Sequence, residues 1–277
     1  MQLGVTMFAT DRAMDPVALA REAEARGFRS LYLPEHTHIP TSRRTPPPTG
    51  DEVLAEEYKR TLDPFVALAA AAAATSRIRL GTAVCLVAQR DPIVLAKEVA
   101  TLDLLSGGRV VLGIGFGWNR EEMESHGVDF RRRRALAREK VLAMQALWTE
   151  ERAHFHGELV RIEESWSWPK PLQQPRPPIL IGGAPGPKLF DHIAEYADGW
   201  MPIGGAGVRA ALPDLRAALA AAGRDPARFE VVLVGSIPDP GKLAYYESLG
   251  VTEVALRLPS APRDAVLRVL DDYAKLL

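Results

Sequence analysis

Eight times along this chain a short apolar, β-branched run is followed by a stretch with helical spacing. Strands separated by helices in this way must run parallel, which leaves few folds open. The runs fall near residues 3–8, 29–33, 78–85, 109–114, 178–182, 199–202, 230–235 and 252–257. Helices are expected over 16–26, 64–74, 92–105, 131–148, 187–197, 209–222, 240–248 and 263–276. Asp15-Pro16, Asp63-Pro64 and Asp91-Pro92 each place a capping carboxylate before a proline suited to the first helical turn. Gly27, Gly107 and Gly223 follow helices where a left-handed C-cap is wanted. Eight such units in 277 residues match a closed (β/α)8 TIM barrel of the α/β class. An open, doubly wound sheet is the alternative that the same alternation allows.

Two stretches interrupt the pattern. Residues 37–60, "THIPTSRRTPPPTGDEVLAEEYKR", make an extended polar loop after strand 2, of the kind that usually serves function. Residues 150–177 precede strand 5, and "HFHGELVRIEE" within them reads as a structural hairpin insertion. No domain boundary is evident, so residues 1–277 are expected to form one domain, and 47% apolar residues can fill its core.

The 34 basic and 35 acidic side chains nearly cancel, so nothing marks the chain for nucleic acid or for an anionic membrane. The basic run at residues 131–134 opens a helix and reads as a solvated or ion-paired face. A single cysteine, Cys85, fits a reducing compartment and excludes an internal disulfide. No signal-peptide pattern opens the chain, and the ten apolar residues 65–74 are too few to cross a bilayer. A cytoplasmic protein is expected.

In such a barrel the chemistry belongs to the loops at the C-terminal strand ends. Strand 2 ends in "SLYLPEHTHIP", which delivers Glu35 and His36 to that rim. Strand 4 ends in "GIGFGWNREE", whose Gly113, Gly115 and Gly117 would bare a backbone edge to something flat. The same glycines lack the spacing of a dinucleotide fingerprint, which argues against an NAD-type reading. Strand 5 ends in "PILIGGAPGPKLF", a small-residue loop feeding a helix N-terminus, where a phosphate could be met. Phe8, Phe116, Trp118 and Trp200 give the mouth an aromatic character, and no metal-ligand spacing or G-x-S-x-G elbow is present. The whole suits a flat, phosphorylated cofactor with chemistry of its own.

The blocks "ALAREAEARGFRSLYLPEHTHIP", "IRLGTAVCLVAQRDPIVLAKEVATLDLLSGGRVVLGIGFGW" and "HIAEYADGW", in that order, resemble the luciferase-like monooxygenase superfamily. The resemblance is closest to its branch of oxidoreductases dependent on coenzyme F420, a deazaflavin. It implies a barrel that is usually a homodimer acting on a small-molecule substrate. Glu35 then matches the acidic residue that hydrogen-bonds the deazaflavin ring, and His36 the histidine beside its reactive carbon. Ala83 and Val84 match a non-proline cis peptide behind the ring. Gly115, Phe116 and Gly117 match the stretch lining the ring and ribityl chain, and Gly182, Gly183 and Ala184 match the phosphate loop. Trp118, by position a further cofactor contact, stands where the sugar-phosphate branch carries a glutamate proposed as proton donor, so a larger or more apolar substrate is expected. His36 is the expected catalytic residue, as an acid, base or hydrogen-bond donor. An FMN-dependent monooxygenase, served by a partner reductase, is the alternative on the same fold; a cofactor-binding barrel without catalysis is a third reading.

Overall fold

In a computed structural model, which describes residues 1–47 and 53–277, eight parallel strands close into a barrel. These are β1 (Gln2–Thr6), β2 (Ser30–Leu33), β3 (Arg79–Thr82), β4 (Val110–Ile114), β7 (Ile179–Gly182), β8 (Gly199–Met201), β9 (Glu230–Ser236) and β10 (Glu253–Arg257). Each strand pairs with its sequence neighbour in the barrel, and β1 closes onto β10 from Gln2↔Glu253 to Thr6↔Arg257. The open sheet is thereby excluded, and with no free edge the strands can stay short. Between β4 and β7 lies the expected hairpin, with β5 (Ala153–His156) antiparallel to β6 (Arg161–Ser165).

The helices begin and end for local reasons. Helix α1 (Pro16–Arg26) is capped by Asp15, which accepts from the Ala18 N–H at 2.9 Å. Asp63 caps α2 (Pro64–Ala73) and Asp91 caps α3 (Pro92–Ser106) in the same way. Gly27 and Gly107 take left-handed conformations with φ of 93° and 72°, as the C-cap reading required. The layer continues with α5 (Arg133–Thr149), α6 (Pro187–Tyr196), α7 (Val208–Ala221), α8 (Pro240–Ser248) and α9 (Arg263–Ala274). A short helix that the sequence did not suggest, α4 (Arg120–Ser125), follows β4 directly.

Two cores result. A small one inside the barrel gathers Tyr32, Val111, Leu180, Met201, Val232, Val234 and Ala255, with Ala83 and Val84 at its edge. A larger one fills the layer between strands and helices. Strand residues alternate between the two, as the pleat demands. Trp200 illustrates the rule and corrects its assignment to the mouth. Its neighbour Met201 points inwards, so Trp200 points outwards, fully buried and edge-on to Phe190 of α6 at 6.0 Å.

The long segment after β2 is not featureless. Residues Glu56–Lys59 form a 3-10 turn, and Thr10 bridges Thr61 to hold its end against the chain after β1. Residues 48–52 of this expected loop lie outside the described part. Among the described residues no helix is long and apolar enough to cross a membrane.

Candidate active site

The rim begins with Glu35, only 3% exposed. Its Oε2 accepts from the Leu86 N–H at 2.7 Å and its Oε1 from Arg90 Nε at 2.6 Å. Arg90 reaches on to Asp63 at 2.6 Å and Glu98 at 3.2 Å and lies over the Phe65 ring. Burial works most strongly against the Arg90 charge, but Glu35, Cys85 and Asp63 together outweigh it and hold the guanidinium above its ordinary value. The same burial, with the Glu35 charge added, pushes the Cys85 thiol up and keeps it protonated.

Between Glu35 and β4 the backbone bulges. The Ala83–Val84 peptide is cis, and Val84 stands between two glycines. A Cβ on Gly115 would lie 2.3 Å from Val84 Cγ2, and one on Gly182 would lie 2.7 Å from Val84 Cγ1. Gly113 is equally filled, since a Cβ there would meet the Thr82 carbonyl at 2.0 Å. Gly117, in the left-handed region at φ 71°, faces the Met123 methyl. These strand 4 glycines therefore make room first for protein.

His36, 8% exposed, follows Glu35 and turns to the other side. Its Nδ1 lies 2.9 and 3.1 Å from the two carboxylate oxygens of Glu122, itself 1% exposed. With Nδ1–H donating to that carboxylate, Nε2 is left as the nitrogen able to take or give a proton. The imidazole is edge-on to Trp118 at 5.8 Å and tilted against Tyr58 at 5.2 Å, while Phe8 packs on Tyr58 at 4.8 Å. His38 does not join this group: it is exposed, bonded to Thr37 and edge-on to His126.

Beside Trp118, Asn119 is 1% exposed, and neither its amide nitrogen nor its oxygen finds a partner among the described residues. A sealed amide in that condition costs roughly 1–3 kcal/mol until something meets it. At the strand 5 position, the Gly183 carbonyl accepts from Trp200 Nε1 at 3.1 Å. Leu189 and Phe190 donate to the Gly186 carbonyl, and Pro187 has no N–H. What this leaves for an anion includes the turn of exposed Ala184 and half-buried Gly186.

The luciferase-like monooxygenase family model matches residues 3–237. The chain belongs to that family. An uncharacterized protein of Mycobacterium tuberculosis is 49% identical over 280 residues, covering 100% of this chain and 99% of that protein. An F420-dependent glucose-6-phosphate dehydrogenase of Kineococcus radiotolerans is 38% identical over 161 residues, 55% of this chain and 47% of that protein. In fold, the chain is similar to the monooxygenase RslO1 of Streptomyces bottropensis, with a TM-score of 0.82 and 22% identity over 100% of this chain and 98% of the other. An F420-dependent secondary alcohol dehydrogenase, seen with an F420-acetone adduct, gives 0.79 at 18% identity over the same shares.

Glu35 is also tied into the protein around the rim. Each of its oxygens accepts from the protein, so it clamps the bulge. His36 and Trp118 do meet, and Val84 packs between Gly115 and Gly182, while Phe116 lies against His192 and Arg134. Sequence reasoning missed Glu122, Tyr58, Arg90 and Asn119. The signal for Glu122 was present, since Glu121 and Glu122 sit in the first turn of a short helix after a capping-type Asn.

A concavity of about 410 Å³ opens at the N-terminal strand ends among Arg29, Arg77, Arg79, Arg109, Glu230 and Glu253. Its charges are spent on structure. Arg79 pairs with Glu230 at 3.0 and 3.2 Å, and Arg109 donates to the Ala72, Thr75, Ile78 and Ser106 carbonyls. In a barrel of this kind the candidate face for chemistry is the opposite rim, which carries His36.

The shelf can be tested directly. Gly115→Ala should destabilise the protein by roughly 1–3 kcal/mol, because Val84 has no room to yield towards Gly182. Urea denaturation reads the change; an unaltered midpoint would show that the bulge is not wedged there.

Proposed function

We propose that the protein is an oxidoreductase using coenzyme F420 for hydride transfer to or from a small organic substrate. The observation carrying this reading is the convergence on one rim of an imidazole locked by Glu122, an aromatic wall and a shelf of small residues. Two features of the chain fit a flat phosphorylated heterocycle. The sealed Asn119 amide offers a donor and an acceptor side by side to a ring's own amide edge. The half-buried Val84 shelf, packed between Gly115 and Gly182, would support one face of such a ring. The relative in Kineococcus, an F420-dependent enzyme, supports F420 over FMN.

When bound, the deazaflavin would supply the hydride chemistry. The residues do the rest. His36 holds a proton at Nε2 or accepts one there, while the Glu122 carboxylate fixes the ring and balances the imidazolium. Trp118 and Tyr58 close the sides and keep water from that nitrogen. Ala184 and Gly186 would meet the phosphate by their N–H groups. Trp118, in place of the sugar-phosphate branch's glutamate, argues for a substrate larger or more apolar than a sugar phosphate.

The protein is also proposed to work as a homodimer. Val94 and Leu105 stand about three turns apart on the outer side of α3, 55% and 67% exposed. Trp168, 59% exposed, is tied to α3 through its carbonyl and Lys97. Such a patch asks for cover. Sedimentation should give a dimer that Leu105→Asp splits; a monomeric wild type would end this proposal.

Titration with each cofactor, followed by tryptophan quenching, tests the cofactor assignment. Oxidised F420 should bind and FMN should bind far more weakly; tight FMN binding without F420 binding would reverse it and call for a partner reductase.

The His36 role has its own test. His36→Ala should lower turnover roughly 100-fold or more with cofactor affinity little changed. Glu122→Gln, which frees the ring to turn, should lower turnover roughly 10- to 100-fold and shift the pH profile. Turnover undiminished in His36→Ala would remove the imidazole from the mechanism.

A further inference from the structure

The mouth of the barrel has two unlike sides. At the ends of β4 and β7, Gly115 and Gly182 take Val84 between them. At the ends of β8 and β9, two large aliphatic side chains stand uncovered, Ile203 at 77% exposed and Ile237 at 70%.

Both continue the inward-facing rows of their strands. Met201 of β8 belongs to the interior core, and Ile203, two residues on, still pairs with Val234 of β9 in a parallel bridge. The ladder holds there, with the Val234 N–H donating to the Pro202 carbonyl at 3.0 Å and the Gly204 N–H to the Val234 carbonyl at 2.8 Å. The pleat therefore gives Ile203 the inward sense of Met201. On β9 the register slips by one residue. Ala255 of β10 pairs with Val234, but Leu256 pairs with Ser236, which leaves Gly235 as the extra residue, left-handed at φ 80°. Ala255 lies in the interior core and Leu256 in the outer one, so Ser236 faces outwards and Ile237 inwards.

A lone exposed isoleucine on a protein surface carries no message. These two differ by their place. They form the layer directly above Met201 and Val234, at the strand ends where a barrel of this kind meets its ligands. In the closed strand order β8 lies directly across from β2, whose end carries His36. The chain after Ile203 is packed down as well, since a Cβ on Gly205 would lie 1.9 Å from the Tyr246 hydroxyl of α8. On the next strand, Arg257 is paired with Glu57 at 3.7 Å. A ligand seated between the isoleucines and His36 would take their apolar area out of water.

We propose that Ile203 and Ile237 are the specificity-determining wall of the substrate pocket. They take the aliphatic or aromatic body of an organic substrate whose reacting carbon is turned towards His36. The proposal rests on the reading of this rim as an oxidoreductase site, and it goes further by seating the substrate on the β8–β9 side, away from the Val84 shelf.

Prodan, an uncharged naphthyl ketone whose emission moves to the blue in apolar surroundings, tests the wall by binding alone. Wild type should bind it with a blue shift. Ile203→Asp combined with Ile237→Asp should weaken binding roughly 10-fold or more, because carboxylates replace two aliphatic contacts. Ile203→Ala with Ile237→Ala, which removes contact area but keeps the wall apolar, should lie between them; it decides the matter if the aspartate pair does not fold. Val66→Asp, at a residue of α2 that is 73% exposed, should bind as wild type does. Absence of wild-type binding, unchanged affinity in the isoleucine variants, or an equal loss in Val66→Asp would overturn the proposal. F420 titrated in parallel keeps the two readings apart. Prodan binding that depends on the isoleucines, in a wild type that binds no F420, defeats the functional reading and leaves the apolar site standing. F420 binding with prodan affinity indifferent to both isoleucines defeats the wall and leaves the functional reading standing.

Discussion

Glu35 is almost sealed from water, and a carboxylate in that position is tolerable only because two groups meet it, the Leu86 amide and the Arg90 guanidinium. Removing one partner from a buried pair of this kind typically costs about 3–5 kcal/mol, since the other charge is left without an answer. The consequences reach past the pair. Arg90 also bonds the Asp63 carboxylate that caps α2 and the Glu98 carboxylate of α3, so one guanidinium joins the end of β2 to two helices. The Leu86 amide lies just past the bulge that holds Val84. Fixing Glu35 therefore fixes the bulge, and it fixes the direction in which the next residue, His36, leaves the strand.

On the far side of His36, α4 does comparable work with two adjacent acids. Glu122 turns inwards to the imidazole. Glu121 turns outwards and accepts from the Arg44 amide at 2.9 Å and the Thr45 hydroxyl at 2.7 Å. The Thr45 hydroxyl, with the backbone donors, draws its pKa down to about 2. Six residues thus orient the candidate proton carrier and anchor the described start of the loop after β2. A cofactor approaching this rim would meet a histidine already set by packing and hydrogen bonding, which is where preorganisation has its effect.

The barrel was legible because its signals are local and repeated. An Asp-Pro start and a glycine stop each act within one turn, so the sequence alone places α1, α2 and α3 to within a residue or two. The position of His36 was legible for a different reason: the fold dictates which strand ends carry chemistry. What could not be read depends on which way a side chain turns. Trp200 was assigned to the mouth by its strand, but the pleat sends it to α6 and sends Met201 inside. The partners of Glu35, Leu86 and Arg90, lie fifty-odd residues on, beyond any local pattern. Helix α4 is too short to show a period at all.

The glycines after β4 show how the two kinds of information combine. Their alternate spacing points to close approach, and that much is correct, yet the approaching groups are the Thr82 carbonyl and the Val84 methyls. A glycine needed by the protein and a glycine needed by a ligand look alike in sequence, because both are answers to a missing Cβ. Val84 can stand at the edge of the barrel core only because Gly115 and Gly182 leave it space, so the shape of this shelf is set by the packing of the bulge.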